Sequence, residues 1–343
     1  MRHLLNSLFV LTPENHLSLD NENVVVFRGK TELARFPLLT LESIFCFTYQ
    51  GATPALMGAC VKRGINLVLY SPFGEFYARA TGKEKGNVLL RMEQFRISDD
   101  KSRSCMYGRN FLVGKLFNSR WVLERATRDH PDRVPVEKLK QSSQLIRDSI
   151  QEIRNCDDYD ILRGIEGKVA QEYFGCFNDL ILQQTDDFRF EGRNRRPPTD
   201  RVNALLSFTY SILSRDCEAA LEGAGLDPYM GFIHRLRPGR CSLALDLIEE
   251  LRPSFADRFV LYCINQRIIN REDFITQEND AVMLTDQGRK KFFSEWQKRK
   301  QEMLMHPFLK EKIPWGLVPY VQALLLARTI RGDLEEYPPF FWK

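Results

Sequence analysis

Gly82-Lys83-Glu84-Lys85-Gly86 separates two textures of sequence. Two glycines around three charged residues suit neither a buried strand nor a packed helix, and so mark a break between elements. Upstream the chain reads as short strands. Val24-Val25-Val26-Phe27-Arg28 and Asn66-Leu67-Val68-Leu69-Tyr70 are β-branched and apolar runs, with Gly29-Lys30, Pro72 and Gly74 as turn signals between or after them. One short helix interrupts this region: Thr53 can cap it, Pro54 suits its first position and Gly64 ends it. From Asn87 onward apolar residues recur mostly at intervals of three and four, the signature of helices. Loops interrupt that pattern at residues 128–135 and at the arginine-rich residues 186–198. Pro314 to Pro319 breaks it again, and Tyr337-Pro-Pro-Phe-Phe-Trp342 forms a non-helical tail. The expected fold class is α+β, with a small β-rich domain over residues 1–85 followed by a larger all-helical domain over residues 86–343.

Composition narrows the function classes. A chain of 343 residues with 43% hydrophobic and 27% charged residues has the profile of a globular protein of two domains. No stretch is apolar for long enough to span a membrane. The short apolar run near the N-terminus is followed at once by polar residues, with no small-residue cleavage site, so a signal peptide is not expected and a cytoplasmic location is. Eight cysteines are scattered without a Cys-x-x-Cys pair, which argues against a zinc ribbon or a disulfide framework and for buried thiols. A formal charge of +4 permits a nucleic-acid partner without requiring one.

Three segments carry residues able to do chemistry. Residues 160–180 read as an amphipathic helix in which Glu166 has Leu162, Val169, Ala170 and Tyr173 as helical neighbours. A carboxylate among such neighbours is either salt-bridged at the stripe edge or compensated by a cation. His234 follows the apolar run Gly231-Phe232-Ile233, which suits a hydrogen-bonded core histidine or a ligand. Ser242 to Leu251 reads as a helix with Leu243, Ala244, Leu247, Ile248 and Leu251 on one face. Asp246, Glu249 and Glu250 lie on the other, either a solvated acidic face or a cation site. Two carboxylate sources and one imidazole suit Mg²⁺ or Mn²⁺, able to activate a hydroxyl and to neutralise a phosphodiester.

Signals for DNA lie close by. The loop Phe188-Arg-Phe-Glu-Gly-Arg-Asn-Arg-Arg-Pro-Pro-Thr-Asp-Arg201 gathers Arg189, Arg193, Arg195, Arg196 and Arg201, and Arg235, Arg237 and Arg240 follow His234. Arginine is the usual residue for bidentate phosphate contact. The helix after Pro198 places Asn203, Ser207, Tyr210 and Ser214 on one polar stripe, consistent either with contacts to a DNA backbone or with a solvated face.

Taken together these segments resemble the CRISPR-associated integrase of the adaptation module, often called the Cas-one family. The match is carried by Gly164-Ile-Glu166-Gly-Lys-Val-Ala170, by Arg196-Pro-Pro-Thr-Asp-Arg-Val-Asn203-Ala-Leu-Leu-Ser207-Phe-Thr-Tyr210, and by Gly231-Phe-Ile-His234 with Ser242-Leu-Ala-Leu-Asp246-Leu-Ile-Glu249-Glu250. Leu17-Ser-Leu-Asp20, Gly51-Ala-Thr-Pro-Ala-Leu-Met-Gly58 and Gly86-Asn-Val-Leu-Leu-Arg91 look like the subtype I-C branch. The resemblance implies that Glu166, His234 and Glu249 are the catalytic metal ligands for Mg²⁺ or Mn²⁺. It places a further acid at Asp246 and an active-site tyrosine at Tyr210. It also implies a phosphodiester transesterification, in which the 3′-hydroxyl of captured double-stranded DNA attacks the edge of a repeat. The family's assembly adds a homodimer formed through the β-rich domain and a small ferredoxin-like adaptation partner. An alternative with the same site is a stand-alone metal-dependent nuclease acting on branched DNA in repair.

Overall fold

A computed structural model of the chain describes residues 6–72, 76–80, 88–194 and 196–343. The expected break at 82–86, the turn residue Gly74 and Arg195 lie outside the described residues. In chain order the elements are β1 (Asn6–Val10), β2 (Asn15–Asp20), β3 (Asn23–Arg28), β4 (Thr31–Pro37), β5 (Leu41–Phe47), α1 (Pro54–Arg63), β6 (Asn66–Tyr70) and β7 (Phe76–Ala80). Helices follow: α2 (Val88–Asp99), α3 (Lys101–Asp129), α4 (Val136–Arg154), α5 (Tyr159–Gly175), α6 (Arg201–Gly223), α7 (Ser242–Leu251) and α8 (Arg258–Asn265). The last part alternates β8 (Phe274–Thr276), β9 (Val282–Leu284), α9 (Asp286–Gln301), β10 (Met303–Met305), β11 (Lys312–Pro314) and α10 (Val318–Ile330).

Compactness gives two units. The first comprises Met1–Lys85, Leu284–Glu302 and Pro314–Leu317, and the second Gly86–Met283, Met303–Ile313 and Val318–Lys343. In the first, β2, β3 and β4 form an antiparallel meander, and Gly29 at φ 58° turns the chain between β3 and β4. A second sheet runs β1-β5-β6-β7, with β5 parallel to both β1 and β6 and β7 antiparallel to β6. Helix α1 begins where the Thr53 side chain accepts from the Leu56 N–H at 3.4 Å, with Pro54 in its first turn. It stops at Gly64, whose left-handed φ of 68° suits glycine. Leu17, Val24, Ile44, Leu56 and Leu67 close the core with no exposed surface, each burial worth about 1.5–3 kcal/mol.

The units do not follow the chain as two consecutive blocks, because α9 belongs to the first. Its Phe293 lies 5.1 Å from Phe47, which stacks on Tyr70 of β6 at 4.6 Å. That aromatic contact joins residues far apart in sequence, which local patterning cannot register. The second unit is mostly helical rather than all-helical: the two-stranded ribbons β8–β9 and β10–β11 fall in the region expected to hold helices alone. Each strand spans three residues, too few for an alternating pattern to stand out.

Helix α3 is the spine of the second unit. It starts at Asp100, whose carboxylate accepts the N–H groups of Ser102 and Arg103 at 2.9 and 3.1 Å. Its 29 residues pack against α4, α5 and α7. Helix α7 is buried all round: Leu247 and Ile248 have no exposed surface, and neither do Asp246 and Glu250 across from them, while Glu249 keeps 4%. The acidic face is therefore not solvated, and each carboxylate must find partners inside the unit. Beyond α7 the chain continues as a π-helical turn, Arg252–Asp257, containing Pro253. Proline has no N–H to donate to the α-helical ladder, and the wider turn accommodates that loss.

Candidate active site

Glu166 lies on the buried stripe of α5, between Leu162 and Val169 and below Tyr173, whereas Ile161 is exposed. Its carboxylate pairs with the Lys115 ammonium of α3. The same ammonium lies 2.8 Å from Glu249 Oε2 of α7, and Arg252 approaches Glu249 Oε1 at 2.9 Å. His234 Nε2 is 3.8 Å from Glu249 Oε1. Lys115 thus bridges Glu166 and Glu249, and His234 approaches the other oxygen of Glu249. Burial works against the Glu249 anion, but Arg252, Lys115 and His234 hold its carboxyl below the ordinary range. Burial works against the Lys115 cation and would lower its pKa, but Glu249 with Glu166 outweighs it, so the ammonium is held above its ordinary value.

Asp246 plays a different part. It accepts from the backbone N–H of Phe232, of Ile233 at 3.1 Å and of His234 at 2.9 Å, and its Oδ1 accepts a hydrogen bond from the His234 Nδ1–H at 2.6 Å. Both oxygens are occupied, and the residue faces His234 rather than Lys115. A Nδ1–H committed to Asp246 leaves the lone pair on Nε2, the atom turned toward Glu249. The turn at Gly231 makes this possible. A Cβ there would sit 2.7 Å from the Ser242 backbone carbon and 2.8 Å from Asp246 Oδ2, closer than any side chain tolerates.

No three His, Cys, Asp or Glu side chains among the described residues stand as a ready-made metal cage, and an ammonium lies between the two carboxylates. The donor set still fits a hard divalent ion. It offers two carboxylates and one imidazole nitrogen. Glu249 Oε2 is buried without a well-formed hydrogen bond and is held only by the ionic approach of Lys115.

A second polar layer adjoins the first. Tyr210 of α6 donates to Asp257 at 2.5 Å and Tyr173 donates to it at 3.0 Å. Burial pushes the Asp257 carboxyl up to about 6, despite those two donors. Two guanidinium groups lie over the Tyr210 ring, Arg193 at 5.2 Å and Arg252 at 5.0 Å from its centroid. Arg193 also donates to Asn203 Oδ1 at 2.5 Å. Asn203 is itself buried, bonding Asp200 and the Gly192 carbonyl, so the expected polar stripe of α6 organises the arginine loop from inside rather than facing solvent. Arg189, Arg196, Arg235 and Arg237 are exposed.

Sequence reading missed Lys115, Arg252 and Asp257, and it missed the C-terminal clamp behind them. Glu250 accepts from Tyr337 OH, from Gln322 Nε2 at 3.0 Å and from the Phe340 N–H at 2.7 Å. Burial pushes its carboxyl up to about 7 all the same. Asn118, one turn after Lys115 on α3, donates to the carbonyls of Glu250 and Phe340 at 2.6 and 2.7 Å. Gly114 lets the three pieces meet, since a Cβ on it would lie 2.8 Å from Glu250 Cβ and 3.1 Å from Pro339 Cβ. The tail 337–343 thus pins α3 to α7, the two helices that carry Lys115 and Glu249. The missed signal was a run of aromatic residues with a tyrosine, able to bury itself and bring a donor.

The family model described as CRISPR associated protein Cas1 matches residues 8–298. The chain is 43% identical over 343 residues to CRISPR-associated endonuclease Cas1 1 of Chlorobaculum tepidum, with 100% of both chains covered. It is 46% identical over 347 residues to CRISPR-associated endonuclease Cas1 2 of Rhodospirillum rubrum, again with 100% of both covered. A solved structure titled "Casposase bound to integration product" has the same fold, with a TM-score of 0.84 at 20% identity over 99% of this chain and 95% of that one. With a family match over most of its length and relatives that align from end to end, this chain belongs to the Cas1 family.

Proposed function

We propose that this protein, a Cas1 of the subtype I-C branch, is the metal-dependent integrase of CRISPR adaptation. The observation that carries the proposal is the convergence of Glu166, His234 and Glu249 from α5, the turn before α7, and α7 itself. These three residues hold Mg²⁺ or Mn²⁺, which when bound supplies positive charge for a hydroxyl nucleophile and a phosphodiester. Asp246 fixes the His234 ring and its tautomer, and Arg252, stacked on Tyr210, fixes the Glu249 carboxylate. The reaction is a transesterification. The 3′-oxygen of a captured fragment bonds to phosphorus at a repeat edge as the strand's own P–O bond breaks; the attacking hydroxyl gives its proton to solvent and the displaced oxygen takes one up, ending as a hydroxyl. Holding hydroxyl and phosphate in line supplies much of the acceleration.

The duplex is bound through phosphates by exposed arginines such as Arg196, Arg235 and Arg237. The homodimer forms through the β-rich unit, a reading supported by the exposed apolar side chains Leu33, Phe36, Leu39 and Tyr49. A small ferredoxin-like partner completes the cytoplasmic complex. No helix among the described residues is long and apolar enough to cross a membrane. The test is a strand-transfer assay with the purified protein, that partner and a plasmid carrying a repeat array. Cleavage without joining would replace the integrase by a nuclease.

A further inference from the structure

Glu249 has two cations beside it, and they are not equivalent. Arg252, at 2.9 Å from Oε1, is fixed by its stack on Tyr210. Lys115 lies between Glu249 and Glu166 at the end of a flexible four-carbon stem, with 13% of its side chain exposed. A buried ion cluster is a poor stabiliser compared with apolar packing of the same volume, so stability alone does not explain a lysine in the middle of α3. What the lysine adds is one positive charge on a group able to move.

We propose that Lys115 is a tethered counter-ion that competes with the divalent ion for the Glu166–Glu249 pair, bridging the two carboxylates in the metal-free protein and leaving as the ion enters. This rests on the ligand set proposed above. The charges around the pair give the exchange a purpose. With Lys115 in place, Glu166 and Glu249 face two single cations, with the Asp246 carboxylate held against His234 as a third negative group beside them. Exchanging the ammonium for a divalent ion makes the cluster more positive by one charge, which favours a DNA phosphate. A loaded site therefore attracts a phosphodiester more than an unloaded one does. The displaced ammonium has somewhere to go, because the Glu166 and His234 side chains keep 29% and 22% of their surface exposed.

The experiment measures Mn²⁺ binding to the full-length protein through the electron paramagnetic resonance of the free ion. Lys115→Met should tighten the Mn²⁺ dissociation constant by about tenfold or more, because the competitor is gone, while Lys115→Arg should stay close to wild type. In EDTA, Lys115→Met should melt below wild type, and saturating Mn²⁺ should close the gap. A second measurement uses wild type alone, so it stands even if the methionine variant does not fold. Lysine acylation read by mass spectrometry should spare Lys115 in EDTA and reach it in Mn²⁺. An unchanged or weaker Mn²⁺ affinity in Lys115→Met overturns the proposal, as does Lys115 acylation that Mn²⁺ does not alter. A Glu166→Gln/Glu249→Gln variant that binds Mn²⁺ like wild type overturns the ligand set instead.

Discussion

Asp246 holds His234 at two points, taking the ring Nδ1–H at 2.6 Å and the backbone N–H at 2.9 Å on the same oxygen. Ring and main chain are therefore set by one carboxylate that is itself fully buried. Asp246→Asn keeps the shape but turns an amide N–H₂ toward groups that are already donors. We expect strand transfer to fall about 10–100-fold without being abolished, the usual cost of losing a partner that orients a ligand. Initial rates of integration check this, and a wild-type rate would show that His234 needs no such hold.

Glu166→Ala, His234→Ala and Glu249→Ala should each abolish strand transfer. They should differ in stability. Glu249 is 4% exposed between Lys115 and Arg252, so its loss takes the carboxylate partner from buried Arg252 and leaves Lys115 with Glu166 alone, at about 3–5 kcal/mol. Glu166 keeps 29% of its side chain in solvent and should cost less. Denaturant melts of the three variants beside their activity separate these effects, and residual integration by any one removes it from the ligand set.

The arginines should divide into two classes. Arg193 is bonded to Asn203 and stacked on Tyr210, so Arg193→Ala should lower stability by about 1–3 kcal/mol and leave the salt dependence of DNA binding unchanged. Replacing exposed Arg196, Arg235 or Arg237 by alanine should flatten that dependence by about one unit of slope for each phosphate no longer neutralised. Salt titrations of duplex affinity decide, and a flattened slope for Arg193→Ala would return it to the DNA-contacting set.

His306 carries a pH signature. It is fully buried, donating to Gln322 at 3.2 Å and accepting the Leu309 N–H at 3.2 Å, and burial lowers its pKa from 6.5 to about 4. Between those values the unfolded chain takes up a proton that the folded protein refuses. His306 therefore contributes stability that is present above about 6.5 and lost as pH falls to about 4, about 3 kcal/mol in all. Glu250 acts with the opposite sign: its stability is present below about 4.5 and lost as pH rises through about 7. His306→Gln should consequently gain about 3 kcal/mol on wild type between pH 7 and pH 4, read from urea melts. Parallel pH profiles would show that the imidazole does not resist protonation.

What can be read in the sequence is local. Thr53, Pro54 and Gly64 delimit α1 because capping and left-handed backbone are properties of a few adjacent residues. Glu166, His234 and Glu249 stand out through the resemblance of three motifs, since spacing alone leaves each open to an ordinary reading. The face of α7 is open to misjudgement because its partners are distant. Asp246 is covered by backbone N–H groups from residues 232–234, and Glu250 by Gln322, Tyr337 and Phe340. His306 reads as one of the histidines in polar or terminal contexts for the same reason, although it lies buried 5.6 Å from the Phe340 ring. Lys115 carries no local signal at all, being one more lysine in a long helix.

The Asn118 clamp has a consequence for the order in which the molecule assembles. Its side chain joins carbonyls 132 and 222 residues further along the chain. Closing loops of that length costs chain entropy until the intervening helices have condensed, so we expect these bonds to form late in folding rather than in its nucleus. The Lys115–Glu249 contact lies one turn from that clamp and is aligned by the same two helices. A refolding chain should therefore regain its helical circular dichroism before it regains the ability to bind Mn²⁺. The lag between the two signals measures how long the chain exists as a folded scaffold without a centre.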